Sequence, residues 1–162
     1  MINRINNNYK LRIAVIVLSW FLVLLCMAAI FKFSSQSGEE SKELSEDILS
    51  KIVNAFGEII GHNTLRKATH AAEYFFLAVL SFNAFAWTFS KPRPVFTCFV
   101  CLAYSLTDEI HQHFVPGRAC RVFDLFVDSM GYLLAILLCI LFVSIVIKKR
   151  RGKANEGVQQ NN

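Results

Sequence analysis

The sequence has very little charge over four long stretches, and within them apolar residues do not alternate with polar ones at helical or strand spacing. The stretches cover residues 11–33, 68–89, 95–114 and 122–147. A helix of about 20 apolar residues is long enough to cross the hydrocarbon of a membrane. Long uninterrupted runs therefore argue against a soluble core and for membrane spans.

Cysteine outside these stretches is limited to Cys120, so the sequence has no disulfide framework. Cys98 and Cys101 have the spacing of a redox or zinc pair, but no second pair and no nearby His accompanies them. We interpret both as residues of helix packing.

These observations predict an all-α, polytopic membrane protein with four transmembrane helices. The third span is long enough only if it extends through Asp108 and Glu109, and we expect it to insert as a hairpin with the second. Residues 90–94 form the turn of that hairpin, because their prolines stop one helix and start the next. Residues 11–33 exceed the usual length of a signal-peptide core, which favours an uncleaved span.

Basic residues determine the predicted orientation. Most Lys and Arg residues lie before the first span, in the 90–94 turn and in the tail 148–162. The positive-inside rule then places both termini in the cytoplasm. The net charge of +5 is explained by this topology, and no nucleic-acid partner is expected.

The connection between the first two spans, residues 34–67, is the predicted outer loop. Ser37-x-x-Glu40 fits a capping box, and apolar residues follow it at helical spacing from Leu44 to Ile59. We predict an amphipathic helix here, on the outer face of the membrane.

Ionisable groups inside the predicted spans all fall at the outer end of the bundle. At about 1.5 Å per residue, they lie in the first two turns of the second and fourth helices and in the last two turns of the third. Charges in lipid are costly, so they should turn inward and pair. We predict one polar pocket open to the outside, lined by His70, Glu73, Asp108, Glu109, Gln112, Arg118, Arg121, Asp124 and Asp128.

Three segments, FKFSSQS, RKATHAAEYFFLAVL and DEIHQHFVPGRACRVFDLFVDSMGYLLA, resemble the VanZ-like family of bacterial membrane proteins. Asp128 departs from the family, which more often has Asn there. The resemblance implies an envelope protein, with resistance to teicoplanin-type glycopeptides associated with the namesake. Its recurrent positions, carried over, are Gln36, Lys67, His70, Glu73, Tyr74, Asp108, Glu109, Gln112, Arg118, Asp124, Asp128 and Gly131.

Two main functions fit these residues. In the first, the pocket binds a membrane lipid, a lipid-linked wall precursor or a glycopeptide, and Arg118 and Arg121 take a phosphate or carboxylate. The binding residues in this hypothesis are Gln36, Lys67, Tyr74, Gln112, Arg118, Arg121 and Asp128.

The second function is a membrane enzyme, a hydrolase or transferase acting on a lipid phosphate. Its candidate catalytic residues are His70, Glu73, Asp108, Glu109 and Asp124. The excess of carboxylates over arginines makes a divalent cation a candidate cofactor, although no metal motif is present. An ion- or proton-coupled transporter is the lowest alternative, because the polar groups stop halfway across the bundle.

Overall fold

The computed structural model describes residues 2–37, 43, 62–117 and 122–159, and every regular element in these ranges is an α-helix. The helices are α1 (Ile2–Ser34), α2 (His62–Phe89), α3 (Pro94–His113) and α4 (Val122–Gln159). The prediction of an all-helical chain is confirmed.

Three of these helices contain a segment long and apolar enough to cross a membrane. The segments are Tyr9–Ser34 in α1, Lys67–Phe89 in α2 and Phe123–Gly152 in α4. Many large apolar side chains point outward from them, including Phe142, which is 69% exposed. The protein is therefore a multi-pass membrane protein, because such a surface is stable in lipid and unfavourable in water.

Helix α3 differs from the other three in having two unlike faces. One face is buried in the bundle and is mostly polar, with Ser105, Asp108 and Gln112 among its residues. The opposite face is exposed and apolar, with Phe99 and Ile110 among its residues. The polar face lowers the mean hydropathy of the whole helix, and α3 is not one of the three candidate spans.

Helix α2 is the central element of the bundle. It packs most extensively on α4 and then on α1, while α3 packs on both α2 and α4 and touches α1 only lightly. The core lies where these helices meet and consists mainly of apolar and small residues: Val23, Ile30, Tyr74, Leu77, Ala78, Ala84, Cys101, Tyr132, Ala135 and Ile136. Cys101 is a fully buried free thiol in this core, consistent with its interpretation as a packing residue.

The contact between α2 and α4 depends on a glycine. A Cβ added to Gly131 would overlap the carbonyl oxygen of Ala71 and lie 2.9 Å from its carbonyl carbon. Only a residue without a side chain allows the two backbones to come so close. This approach brings the first turns of α4 against the first turns of α2.

The turn between α2 and α3 is confirmed. Helix α2 ends at Phe89, and Ser90 has a left-handed backbone with φ of 55°. Pro94 begins α3. Proline is suited to this position, because a backbone N–H in the first turn of a helix makes no hydrogen bond within the helix.

Two sets of predictions fall outside the described residues. The outer amphipathic helix belongs to residues 38–61, of which only residue 43 is described. Arg118 and Arg121 also lie outside the described ranges.

Candidate functional site

Buried polar side chains from all four helices meet at one end of the bundle. This end contains the C-terminus of α1, the first turns of α2, the last turns of α3 and the first turns of α4. Its buried polar residues are Ser34, His70, Ser105, Asp108, Glu109, Gln112, Asp124 and Asp128. We call this group the polar cluster.

Asp128 connects three helices within the polar cluster. Its side chain is only 1% exposed, and its Oδ2 accepts a hydrogen bond of 2.7 Å from the hydroxyl of Ser105 on α3. Its Oδ1 lies 3.6 Å from Nδ1 of His70 on α2. The close approach at Gly131, less than one helical turn further along α4, makes these distances accessible.

The geometry around residue 128 depends on its being an aspartate. An aspartate places an acceptor oxygen toward both the Ser105 hydroxyl and the His70 ring. An asparagine in the same place would offer one acceptor and one donor. Asp128 therefore favours a His70 that carries a proton on Nδ1.

Asp108 and Gln112 form a second connected pair on α3. Gln112 Nε2 donates a hydrogen bond of 2.9 Å to Asp108 Oδ2, as their spacing of one helical turn permits. Gln112 is fully buried, and the Ser34 hydroxyl at the end of α1 lies close to Asp108. The pair therefore forms the side of the polar cluster that faces the end of α1.

Two tyrosines separate the polar cluster from the apolar core. Tyr74 is fully buried close to Ser105, and its ring lies 6.4 Å from that of Tyr104. The Tyr104 hydroxyl donates a 2.5 Å hydrogen bond to the carbonyl of Met27 on α1. Beyond them the side chains of Leu77 and Cys101 belong to the core.

The predicted site residues fall into three groups by their burial. His70, Tyr74, Asp108, Glu109, Gln112, Asp124 and Asp128 are buried. Glu73 is half-buried, and like Glu109 and Asp124 it has polar or electrostatic partners. Gln36 is half-buried at the end of α1, and Lys67 is exposed.

Lys67 lies at the rim and not within the cluster. Its Nζ is 4.3 Å from the centroid of the Phe123 ring, which makes a cation–π contact between α2 and α4. The structure gives Lys67 a role in joining the two helix ends.

Three residues near the site were missed by sequence reasoning. Ser105 and Tyr104 are described above, and His111 joins α3 to α1: its Nε2 is 3.0 Å from the Ser35 hydroxyl and its ring is 4.4 Å from that of Phe31. The signal for Ser105 was present, because Cys101, Ser105, Asp108 and Gln112 recur at helical spacing. Nothing in the sequence placed Tyr104 or His111 against α1.

Several buried polar atoms in and beside the polar cluster make no hydrogen bond of standard geometry within the described part of the chain: Ser34 Oγ, His70 Nδ1, Tyr74 OH, Asp108 Oδ1, Gln112 Oε1 and Asp128 Oδ1. Most of them have a polar neighbour: His70 Nδ1 and Asp128 Oδ1 face each other at 3.6 Å, Ser34 lies close to Asp108, and Tyr74 lies close to Ser105. In proteins, buried polar atoms nearly always have a partner. These neighbours, and solvent or a ligand at this end of the bundle, are the available partners.

The arrangement of acids does not by itself define a metal centre. Within residues 2–37, 43, 62–117 and 122–159, no three His, Cys, Asp or Glu side chains lie in a geometry that holds a metal ion. The divalent cation suggested by the excess of carboxylates over arginines in the sequence stays a prediction.

The fold and the site together define a class: small multi-pass helical membrane proteins with a buried polar cluster at one end of the bundle. The family model described as VanZ/LLP1 matches residues 19–143, and this protein belongs to the VanZ/LLP1 family. The matched range includes all of α2 and α3, parts of α1 and α4, and the whole polar cluster. Neither a curated protein nor a solved structure matches the chain.

Proposed function

We propose that this protein crosses the bacterial cytoplasmic membrane four times, with α3 as the fourth span. Its 20 residues, at about 1.5 Å each, reach about 30 Å, which is the thickness of the hydrocarbon. Its polar side chains are turned into the bundle, while Phe99 on the other face is 66% exposed. Lipid favours this arrangement, because the polar groups find partners inside the protein.

In the proposed orientation both termini are cytoplasmic and the polar cluster lies at the outer leaflet. The exposed bases Lys148, Lys149, Arg150 and Arg151 near the end of α4 support it. Labelling of single-cysteine variants with an impermeant thiol reagent tests it. Gln36→Cys should react in intact cells, and Gly152→Cys only after permeabilisation; the reverse pattern would invert the topology.

The polar cluster is proposed to be a binding site of the cell envelope. The observation that carries this proposal is the convergence of buried polar atoms without hydrogen bonds at one end of the bundle. A site with a purely structural function would be expected to satisfy these atoms internally. The acceptor oxygens Asp108 Oδ1 and Gln112 Oε1 favour ligand groups that donate hydrogen bonds.

The proposed ligand is a polar group carried by a membrane lipid or by a lipid-linked wall precursor. Hydroxyl, amide and ammonium groups of such molecules are donors that reach the membrane surface. Arg118 and Arg121, next to the cluster in sequence, are proposed to hold a phosphate or carboxylate of the same ligand. Binding of this kind would contribute to glycopeptide resistance or to envelope homeostasis.

A binding measurement on the purified, full-length protein tests the proposal. The probes are phosphatidylethanolamine, undecaprenyl phosphate, a lipid-linked disaccharide-pentapeptide and teicoplanin, each followed by native mass spectrometry. We expect one of them to remain bound to the wild type and to be lost from the Asp108→Asn variant. This change replaces an acceptor oxygen by an NH₂ donor, so the position no longer favours a ligand group that donates a hydrogen bond.

The matched control is Thr97→Val on the same helix. Thr97 is fully buried, but its hydroxyl bonds only the Arg93 carbonyl at the opposite end of α3. Retention of the ligand by Thr97→Val and its loss from Asp108→Asn would localise binding to the polar cluster. Equal retention by both variants would contradict the proposal.

A second candidate function, catalysis, is favoured by the His70–Asp128 pair. Asp128 facing Nδ1 orients the imidazole and leaves Nε2 for proton transfer. For a lipid phosphate ester, water would add to phosphorus as the bond from phosphorus to the ester oxygen breaks. His70 Nε2 would take the proton of the water and return it to the leaving ester oxygen. A divalent cation would stabilise the charge of the phosphoryl oxygens when bound.

Turnover measurements separate the two candidates. Vesicles containing phosphatidylglycerol, phosphatidylethanolamine or undecaprenyl diphosphate are incubated with the protein, and released phosphate or headgroup is measured by mass spectrometry. Catalysis predicts product from the wild type and at least about 100-fold less from His70→Gln. No product from the wild type, or equal product from both, would leave binding as the function.

A further inference from the structure

The opposite end of the bundle, where α1 begins and α2 ends, contains a second polar feature that the proposed site does not use. Arg12 Nη2 donates hydrogen bonds of 2.6 Å to the Ser90 hydroxyl and 3.4 Å to the Trp87 carbonyl. These bonds hold the guanidinium at the seam between the two helices. Both bonds use Nη2, so they do not occupy the donors on Nε and Nη1.

Arg12 lines an open cleft of about 420 Å³ together with Ala86, Trp87 and Ser90. This volume lies in the range of small-molecule sites, which is about 300 to 1,000 Å³. Trp87 is 44% exposed, as expected of an aromatic side chain at the level of lipid headgroups. The cleft therefore combines a fixed cation with an interfacial aromatic residue.

Ser90 is in an unusual conformation for its role in the cleft. Its φ of 55° is left-handed, a region that residues with a Cβ rarely adopt. This conformation ends α2 and presents the Ser90 hydroxyl to Arg12. A glycine would end the helix with less strain but would leave Arg12 without this partner.

The charge around the cleft has one sign. Residues 9–21 and 83–99 contain four cations, Lys10, Arg12, Lys91 and Arg93, and no Asp or Glu. All four are exposed, and Arg93 lies 5.2 Å from the centroid of the Phe89 ring. Basic clefts between transmembrane helices bind the headgroups of anionic lipids.

We propose that this cleft binds the phosphate of an anionic phospholipid, with Arg12 as the principal contact. Arg12 lies directly before the uncharged part of α1, so its guanidinium is at the depth of the phosphate groups. Lys10, Lys91 and Arg93 attract the negative lipid without entering the cleft. This site is separate from the polar cluster. The proposal does not depend on whether the polar cluster binds a ligand or reacts with one.

Thermal unfolding of the full-length protein in detergent tests the proposal. Dioleoyl phosphatidylglycerol or dioleoyl phosphatidylcholine is added, and retained lipid is counted by native mass spectrometry. We expect phosphatidylglycerol to raise the melting temperature of the wild type more than phosphatidylcholine does. In Arg12→Gln its apparent affinity should fall about five- to tenfold.

Arg93→Gln is the matched control, because it removes one cation from the same end but not from the cleft. Its affinity for phosphatidylglycerol should fall clearly less than that of Arg12→Gln, because this variant keeps every side chain that lines the cleft. Equal weakening in both variants would overturn the proposal in favour of diffuse surface attraction. If Arg12→Gln fails to fold, Arg12→Lys is measured in its place. Lysine keeps the positive charge but lacks the planar guanidinium that binds two oxygens of a phosphate.

A further arm distinguishes a lipid from a soluble anion. Glycerol 3-phosphate and inorganic phosphate are added at the same concentration as the lipid. A smaller stabilisation by both supports a lipid site, and an equal stabilisation by either would overturn it. Equal effects of phosphatidylcholine and phosphatidylglycerol would overturn the preference for anionic lipid.

Discussion

At the end of the bundle that holds the polar cluster, ionisable groups such as Asp108 and Asp128 are buried between helices. In the other half of the bundle, the side-chain contacts that join α1 and α2 between Arg12 and the polar cluster are neutral. There Asn83 donates to Ser19 at 3.3 Å, and the Trp20 indole donates to Thr88 at 3.1 Å. Neutral contacts of this kind join two helices in lipid without the free-energy cost of burying a charge.

The difference separates structural polarity from functional polarity. The contacts of Ser19 and Thr88 join one donor to one acceptor. The polar cluster instead brings several ionisable side chains of α2, α3 and α4 together, and such groups are costly to bury. Helix pairing does not require such a cluster, which supports the proposal of a binding site.

The largest expected effect comes from Asp128, which touches both α2 and α3. Asp128→Ala removes the acceptor of Ser105 and the partner of His70, and should destabilise the protein by about 3 kcal/mol. Asp128→Asn retains an acceptor oxygen and should cost less than half as much. Thermal unfolding in detergent measures both; equal losses would show that charge and not hydrogen bonding matters.

Gly131 should come next, because it sets the distance between α2 and α4. Gly131→Ala forces the two backbones apart and should cost about 2 kcal/mol. Gly152→Ala is the control, since a Cβ there meets nothing within 4 Å and alanine favours a helix. A neutral Gly131→Ala would show that the helices separate without penalty, against the packing described.

A third comparison uses one substitution at two fully buried serines. Ser105→Ala should cost about 1 to 2 kcal/mol, because it leaves Asp128 Oδ2 without a donor. Ser81→Ala should be neutral or stabilising, since the Ser81 hydroxyl makes no hydrogen bond in the described residues. Chemical denaturation of both variants checks the difference, and equal effects would remove the distinction between the two halves.

The smallest effect is expected at His111, at the edge of the polar cluster. His111→Ala should cost about 1 kcal/mol, because His111 contacts both Ser35 and Phe31 on α1. His113→Ala is its control: His113 is exposed, and its ring contact is with the neighbouring Phe114. Thermal unfolding compares the two, and a larger loss from His113→Ala would contradict the assigned contacts.

Much of the polar cluster could be predicted from the sequence. The carboxylates inside the apolar parts of α2, α3 and α4 lie near one end of each helix, and antiparallel connections bring those ends together. Asp108 and Gln112 are four residues apart, so helical spacing places them on one face, and they are hydrogen-bonded. Gly131 is among the positions that the family resemblance marks, and the structure identifies Ala71 as its neighbour.

Other features could not be predicted, because they depend on the rotation of one helix against another. The contact of Tyr104 with Met27 and that of His111 with Ser35 each join residues more than 70 positions apart. Sequence spacing says which residues share a face of one helix, but not which face of the next helix they meet.

The sequence alone determined the helical class, the long apolar segments and the concentration of charge at one end, because lipid imposes a length and an apolar composition on every span. The tertiary structure decided which polar groups pair, namely Asp128 with His70 and Ser105. It also decided which atoms are left without hydrogen bonds and that Arg12 is held by the end of α2. These outcomes depend on distances of about 3 Å between helices, which only packing sets.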